Sequence, residues 1–223
     1  MAAVVFDFDG VLADTEGLHL RAFQETFRAR GWTLDAAEYA NRYLGFDDRA
    51  TIVAYASDHA LVVGPDDVET LMREKADAFD RLLGAGMVVY PSAPACVRAL
   101  AARFPLAIAS GSLRAEILRI LGRAGLVDEF RGVVSADEVT RPKPAPDGYL
   151  RAAEVLGVRP DECVAIEDSH WGIDAARSAG MKTIGITHTT TARALALADR
   201  IVTSLDEISP ALIDALAGRR TAW

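Results

Sequence analysis

The 223-residue chain reads as an α/β protein: a parallel sheet with helices on both faces and an all-helical segment inserted near the start. Three observations predict this. Short runs that are apolar on both faces recur along the chain. Helix-like segments separate most of them. Between Thr15 and Gly86 the alternation stops and no convincing strand occurs. Runs apolar on both faces suit parallel strands covered from both sides, and strand–helix repetition builds a parallel sheet.

The first run is "AVVFDF" (3–8), which ends in acids and the Asp9-Gly10 turn. "EGLHLRAFQETFRARG" then places Leu20, Phe23 and Phe27 at helical spacing and stops at Gly31. "DDRATIVAYASDHA" and "PDDVETLMREKADAFDRLLGAG" are also helices with acidic starts. The flanks Ala13-Asp14 and Gly84-Ala85-Gly86 have the composition of hinges. The alternation resumes near Val88 with "LAIAS" (106–110), "GVVSA" (132–136), "CVAIED" (163–168), "KTIGIT" (182–187) and "RIVTS" (200–204). "SLRAEILRILGRAG" is a helix with Ser112 as its expected N-cap and Gly125 as its stop. "APDGYLRAAEVLG" and "SHWGIDAARSAG" start and stop in the same style. The expected domains are a core, residues 1–14 and 87–223, and a helical cap, residues 15–86.

Composition narrows the function. A net charge of −8 lacks the basic footprint of a nucleic-acid binder. No stretch approaches the roughly 20 apolar residues of a membrane span, and the N-terminal run breaks at Asp7 before it could act as a signal peptide. Two cysteines, Cys96 and Cys163, make no disulfide scaffold. The expectation is a cytoplasmic monomer acting on a small molecule. Only three lysines occur, Lys75, Lys143 and Lys182, against abundant arginine, so a lysine can have a specific task.

In a doubly wound sheet the carboxyl ends of the strands converge. There the sequence places Asp7, Asp9 and Gly10; Ser110, Gly111 and Ser112; Lys143 between Pro142 and Pro144; and Glu167, Asp168 and Ser169. Taken singly, each is an ordinary turn or helix cap. Together they are four acids, a lysine, a hydroxyl and a glycine turn opening a helix, a set that suits phosphoryl transfer. Four crowded carboxylates call for a hard cation, and Mg²⁺ is usual beside phosphates. The Ser110–Ser112 turn offers amides to an anion and Lys143 a point charge. One carboxylate can attack phosphorus, and a second can protonate the leaving oxygen and activate water.

"DFDGVLADTE", "ASGS", "KPAPDGYLRAAEVLGV" and "IEDSHWGIDAARSAGM" resemble the four motifs of the haloacid dehalogenase superfamily, in its capped phosphatase and beta-phosphoglucomutase branch. The resemblance implies a Rossmann-like core with a helical cap and an aspartyl-phosphate intermediate. It makes Asp7 the nucleophile and Asp9 the general acid/base. Ser110, Gly111 and Lys143 would hold the phosphoryl group. Asp7, the backbone carbonyl of Asp9, and Asp168 would hold Mg²⁺, with Glu167 in support. An acid at Asp9 implies a phosphate ester as substrate. His19 and Lys75 match residues at the active-site entrance of beta-phosphoglucomutase-like proteins; as plain residues they would be a surface histidine and an exposed helix lysine.

The chain departs from the mutase pattern. Leu44 precedes Gly45 where mutases carry a lysine, the following arginine comes late as Arg49, and the mutases' Lys-Asn pair reads Leu113-Arg114. These groups grip a mutase's second phosphate, so their partial loss favours a phosphatase of a small phosphorylated metabolite. A sugar-phosphate mutase using Arg49, Lys75 and Arg114 is the alternative. A catalytically silent binding protein is a third reading, disfavoured by the intact acid set.

Overall fold

The computed structural model describes residues 2–84, 86 and 88–218. Of the expected hinge Gly84-Ala85-Gly86, Ala85 lies outside these residues, as does Met87, where the expected core resumes. The chain divides into two compact units, Met1–Asp14 with Val89–Trp223 and Thr15–Val88.

The larger unit is built on six strands: β1 (Ala3–Phe6), β2 (Leu106–Ala109), β3 (Gly132–Val134), β4 (Cys163–Glu167), β5 (Lys182–Ile186) and β6 (Arg200–Val202). All pair in parallel, in the order β3-β2-β1-β4-β5-β6. This bears out the predicted fold class. Val5 of β1 aligns with Ala107 on one side and Ala165 on the other. Those residues pack with Tyr149, Ala152, Ala175 and Ala176 into one core layer. Val4, Phe6, Ile108 and Ile166, which alternate with them, are also fully buried. Both faces of the sheet are therefore covered, which is why these strands read as continuous apolar runs. The order reverses at β1, so its carboxyl end is the topological switch point where such sheets bind ligands.

Between β1 and β2 this unit carries, among the described residues, the helix Ala93–Ala101, which the sequence reading missed although Ala93, Cys96, Val97 and Leu100 repeat at helical spacing. Further helices span Arg114–Ala124, Asp147–Leu156, His170–Ser178 and Pro210–Leu216. The helix His170–Ser178 starts as expected, with Ser169 accepting from the Gly172 amide. The expected N-cap of the helix Arg114–Ala124, Ser112, is not its cap; Leu113 holds that position. Asp137 instead accepts from the Arg114 amide at 2.9 Å, across 23 residues of sequence. A side chain brought by the fold satisfies the helix end, which releases Ser112 for another partner.

The smaller unit is helical: Glu16–Arg28, Ala36–Glu38 running into a π-helical turn Tyr39–Tyr43, Asp48–Asp58 and Pro65–Leu83. The segment 36–43 was not expected: it buries only Tyr39 and Tyr43, four residues apart, too short a repeat to mark a helix. Asp35 caps it by accepting from the Glu38 amide. Phe23, Phe27, Ile52, Tyr55 and Leu71 form this unit's own core. No helix among the described residues is long and apolar enough to cross a membrane.

Candidate active site

Asp7 directly follows β1, and its amide continues the ladder to the Ile166 carbonyl at 2.9 Å. Glu167 closes β4, with Asp168 next in the chain. The sheet register therefore brings carboxylates from adjacent strand ends together. Asp7, Glu167 and Asp168 are all buried, and each offers a ligand oxygen within 4.8 Å of the others. Lys143 Nζ sits between two of them, 2.7 Å from Asp7 Oδ1 and 2.6 Å from Glu167 Oε1.

Glu167 is the most heavily bonded of the set. Its Oε1 also accepts from the Tyr149 hydroxyl at 2.8 Å. Its Oε2 accepts from the amides of Asp168 and Ser169 and from the Ser169 hydroxyl, at 3.0 to 3.1 Å. Five donors on a fully buried carboxylate make Glu167 an anchor that orients Lys143 and the Asp168 turn. Gly172 leaves it room: a Cβ there would lie 1.7 Å from Oε1.

Burial, reinforced by the negative charge of Glu167, pushes Asp7 well above the usual carboxylate range, although Lys143 pulls the other way. Burial works against the charged form of Lys143, but Asp7 and Glu167 outweigh it and raise the lysine. Three carboxyl groups crowd around the Lys143 ammonium, and the raised pKa of Asp7 reports that crowding. That donor set, all oxygen and closely spaced, fits a hard divalent cation.

Asp9 Oδ2 accepts from two hydroxyls, Ser112 at 2.5 Å and Ser110 at 3.2 Å. The Ser110 hydroxyl in turn accepts from the Ser112 amide at 3.0 Å, and the Ser110 amide donates to Val134. Both serine amides of the expected anion-binding turn are thus committed within the protein. Gly111 lies between the two serines. Asp14, at the flank read as a hinge, is exposed.

Other expected residues sit elsewhere. Arg49 is exposed and paired with Glu69. Arg114 is not a cap residue: it belongs to the sheet unit, where it donates to the Val133 carbonyl at 2.6 Å and to Glu138 at 2.8 Å. His19 and Lys75 are buried in the helical unit, so neither is a surface side chain. Lys75 Nζ lies 2.8 Å from His19 Nδ1 and 2.8 Å from Asp48 Oδ1. The rings of Phe23 and Phe79 flank it, 5.4 and 5.1 Å from Nζ.

The sequence reading missed Ser112 as a partner of Asp9, Tyr149 and Ser169 as partners of Glu167, and the segment after β5. There, Thr189 Oγ1 donates to Asp168 Oδ2 and His188 Nδ1 lies 2.9 Å from the Gly10 carbonyl. The rule that located the other residues, to inspect every strand's carboxyl end, also covers "THTTTA" (187–192) behind β5.

The profile of the haloacid dehalogenase-like hydrolases matches residues 1–180. The chain belongs to this family. The hydrolase is 34% identical over 195 residues to Protein CbbY of Rhodobacter capsulatus, across 82% of this chain and 84% of the relative. It is 33% identical over 185 residues to the fructose-1-phosphate phosphatase YqaB of Escherichia coli (strain K12), across 83% and 96%. A mutant CbbY from Rhodobacter sphaeroides, solved in complex with xylulose-(1,5)bisphosphate, has a TM-score of 0.83 at 30% identity, over 93% of this chain and 96% of that one. The chain is thus an enzyme of a hydrolase family with named phosphatases among its relatives.

Proposed function

We propose that this hydrolase is a Mg²⁺-dependent phosphatase of a small phosphorylated sugar. The observation that carries the reading is the Lys143 ammonium bridging Asp7 and Glu167 beside Asp168, at the switch point of the sheet. Asp7, the Asp9 backbone carbonyl and Asp168 are the residues that would hold the metal, with Glu167 in support. When bound, Mg²⁺ supplies positive charge that keeps Asp7 ionised and offsets the phosphoryl oxygens.

An Asp7 carboxylate oxygen attacks phosphorus, and the P–O bond to the sugar breaks. Asp9 gives its proton to the leaving oxygen, so the product departs as an alcohol. Asp9, now a carboxylate, takes a proton from water. That water attacks the phosphorus of the aspartyl-phosphate, releasing inorganic phosphate and restoring Asp7. Lys143 offsets charge on the phosphoryl oxygens, and the Ser110 and Ser112 hydroxyls orient Asp9.

The substrate class rests on the relatives: CbbY was solved with xylulose-(1,5)bisphosphate, and YqaB is a fructose-1-phosphate phosphatase. Hydrolysis is favoured over mutase chemistry because Arg49 and Arg114 are each paired with a glutamate. Phosphate release from a panel of sugar mono- and bisphosphates tests the reading. Asp7→Asn is expected to abolish both turnover and phosphorylation of the N-terminal peptide by acetyl phosphate. Asp9→Asn is expected to lose roughly 10²–10⁴-fold in turnover while still being labelled by acetyl phosphate. Labelling that survives in Asp7→Asn overturns the assignment.

A further inference from the structure

The segment that leaves β5 touches the candidate site at two points that the mechanism above does not use. Thr189 donates its hydroxyl to Asp168 Oδ2. The preceding residue, His188, approaches the Gly10 carbonyl through Nδ1 at 2.9 Å. A carbonyl only accepts, so Nδ1 carries the proton. The His188 ring also packs on Tyr90, with centroids 4.0 Å apart. The Tyr90 amide in turn donates to the Leu12 carbonyl at 3.0 Å. The segment is thus fastened to the loop behind β1 through His188 and to the turn behind β4 through Thr189.

Gly10 completes the fit. It has a φ of +72°, and a Cβ on it would lie 2.0 Å from Asp168 Oδ2 and 2.8 Å from Thr189 Cγ2. The β1 loop, the Asp168 carboxylate and the Thr189 side chain therefore meet with no room between them. A carboxylate on a two-bond stem has two soft torsions. A charge-assisted hydrogen bond to one of its oxygens removes much of that freedom. Partners of metal-binding carboxylates tune affinity in this way without touching the ion.

The geometry points to Thr189 as the positioning residue for Asp168: its hydroxyl fixes the carboxylate's orientation toward the divalent cation, and His188 sets the register that puts it there. The inference rests on the reading of Asp168 as a metal ligand. Glu167, bonded to the amides and hydroxyl of the same turn, holds its backbone; Thr189 holds the side chain. The two roles are separate, so loss of Thr189 leaves the Lys143–Glu167 anchor standing.

The test is direct metal binding by the full chain, with Mn²⁺ followed by electron paramagnetic resonance and Mg²⁺ by competition. Thr189→Val keeps the shape and removes the donor; Thr189→Ala removes donor and bulk, and serves if the valine methyl against Asp168 prevents folding. Both are expected to weaken metal binding by about 10–100-fold, with Thr189→Ser restoring most of it. Turnover lost at limiting Mg²⁺ should return at saturating Mg²⁺ in variants whose metal-free circular dichroism and urea midpoint match the parent's, which separates a weakened site from a folding lesion that the metal would also rescue. Variants that bind the metal as tightly as the parent, whatever their melting temperature, overturn the role of Thr189 alone. A parent chain that binds neither ion removes the metal reading itself and the inference with it.

Discussion

Glu167 shows how much one buried side chain can organise. It is fully buried and accepts from Lys143, Tyr149, Ser169 and two amides. An unbonded carboxylate in that position would be prohibitively costly. Its environment has no spare volume on the Gly172 side, so Gly172→Ala must displace the carboxylate. The expected cost is about 1–3 kcal/mol in a denaturant titration. Because Lys143 moves with Glu167, turnover should fall on the order of 10²-fold. A Gly172→Ala enzyme with parental turnover would show that Lys143 is held by other means. The two cysteines lie at the other extreme. Burial pushes both thiols up to about 12. Neither Cys96 nor Cys163 should react with a thiolate-selective reagent at pH 8 until the chain unfolds.

At the scale of elements, two helices of the smaller unit are joined by a buried ion pair. Lys75 on Pro65–Leu83 meets Asp48 on Asp48–Asp58 at 2.8 Å, and Lys75 has no exposed surface. Removing one partner strands the other, so Lys75→Ala should cost about 3–5 kcal/mol. Lys75→Met with Asp48→Asn removes both charges and should regain much of that, a comparison made by urea unfolding. In the sheet, Asp199 links β5 to the segment before β6. Its Oδ2 accepts from the Thr183 amide and hydroxyl at 2.9 and 3.0 Å, and its Oδ1 from Lys182 at 3.2 Å. Burial opposes the charge on Asp199, but the Thr183 amide, Lys182 and the Thr183 hydroxyl outweigh it and lower its pKa. A carboxylate lowered in the folded state stabilises that state above its unfolded value, about 3.9. The stabilisation is lost as the pH falls through the lower folded value. Asp199→Asn should therefore destabilise by about 1–2 kcal/mol at pH 7 and by progressively less below pH 4. A pH-independent difference would point to packing instead.

For the whole molecule, a divalent cation held as proposed by the clustered acids would couple to stability. A ligand that binds only the folded state at 100 times its Kd stabilises by about 2.7 kcal/mol. For a chain of this size that is a rise of about 5–10 °C in Tm. Mg²⁺ should therefore raise the melting temperature of the sheet unit, and a chelator should reverse the shift together with the activity. The shift should vanish in Asp168→Asn. If that variant melts like the parent with and without Mg²⁺, the cation binds elsewhere.

The α/β class, the six strands and the acids and lysine at the ends of β1, β3 and β4 were legible in the amino-acid sequence; the residues behind β5 were not singled out. The runs "AVVF", "LAIA" and "CVAIE" are apolar throughout because both faces of the sheet are covered, and that requirement is local enough to read from one strand. Asp7, Lys143, Glu167 and Asp168 could be named because a carboxyl-terminal strand end is a position in sequence as well as in space. Only the tertiary structure decided who meets whom. The sheet order puts β4 beside β1, although more than 150 residues separate Asp7 from Glu167 in the chain, and Lys143 is drawn between them. It gave Ser112 to Asp9 rather than to its own helix, because Asp137 arrives from another loop to cap that helix. It turned Arg49 and Arg114 onto glutamates, buried Lys75, and laid Thr189 against Asp168. Hydrophobic periodicity reports which face of an element is buried. Hydrogen bonds and ion pairs depend on ångström distances between segments remote in sequence, and no pattern within one segment encodes those.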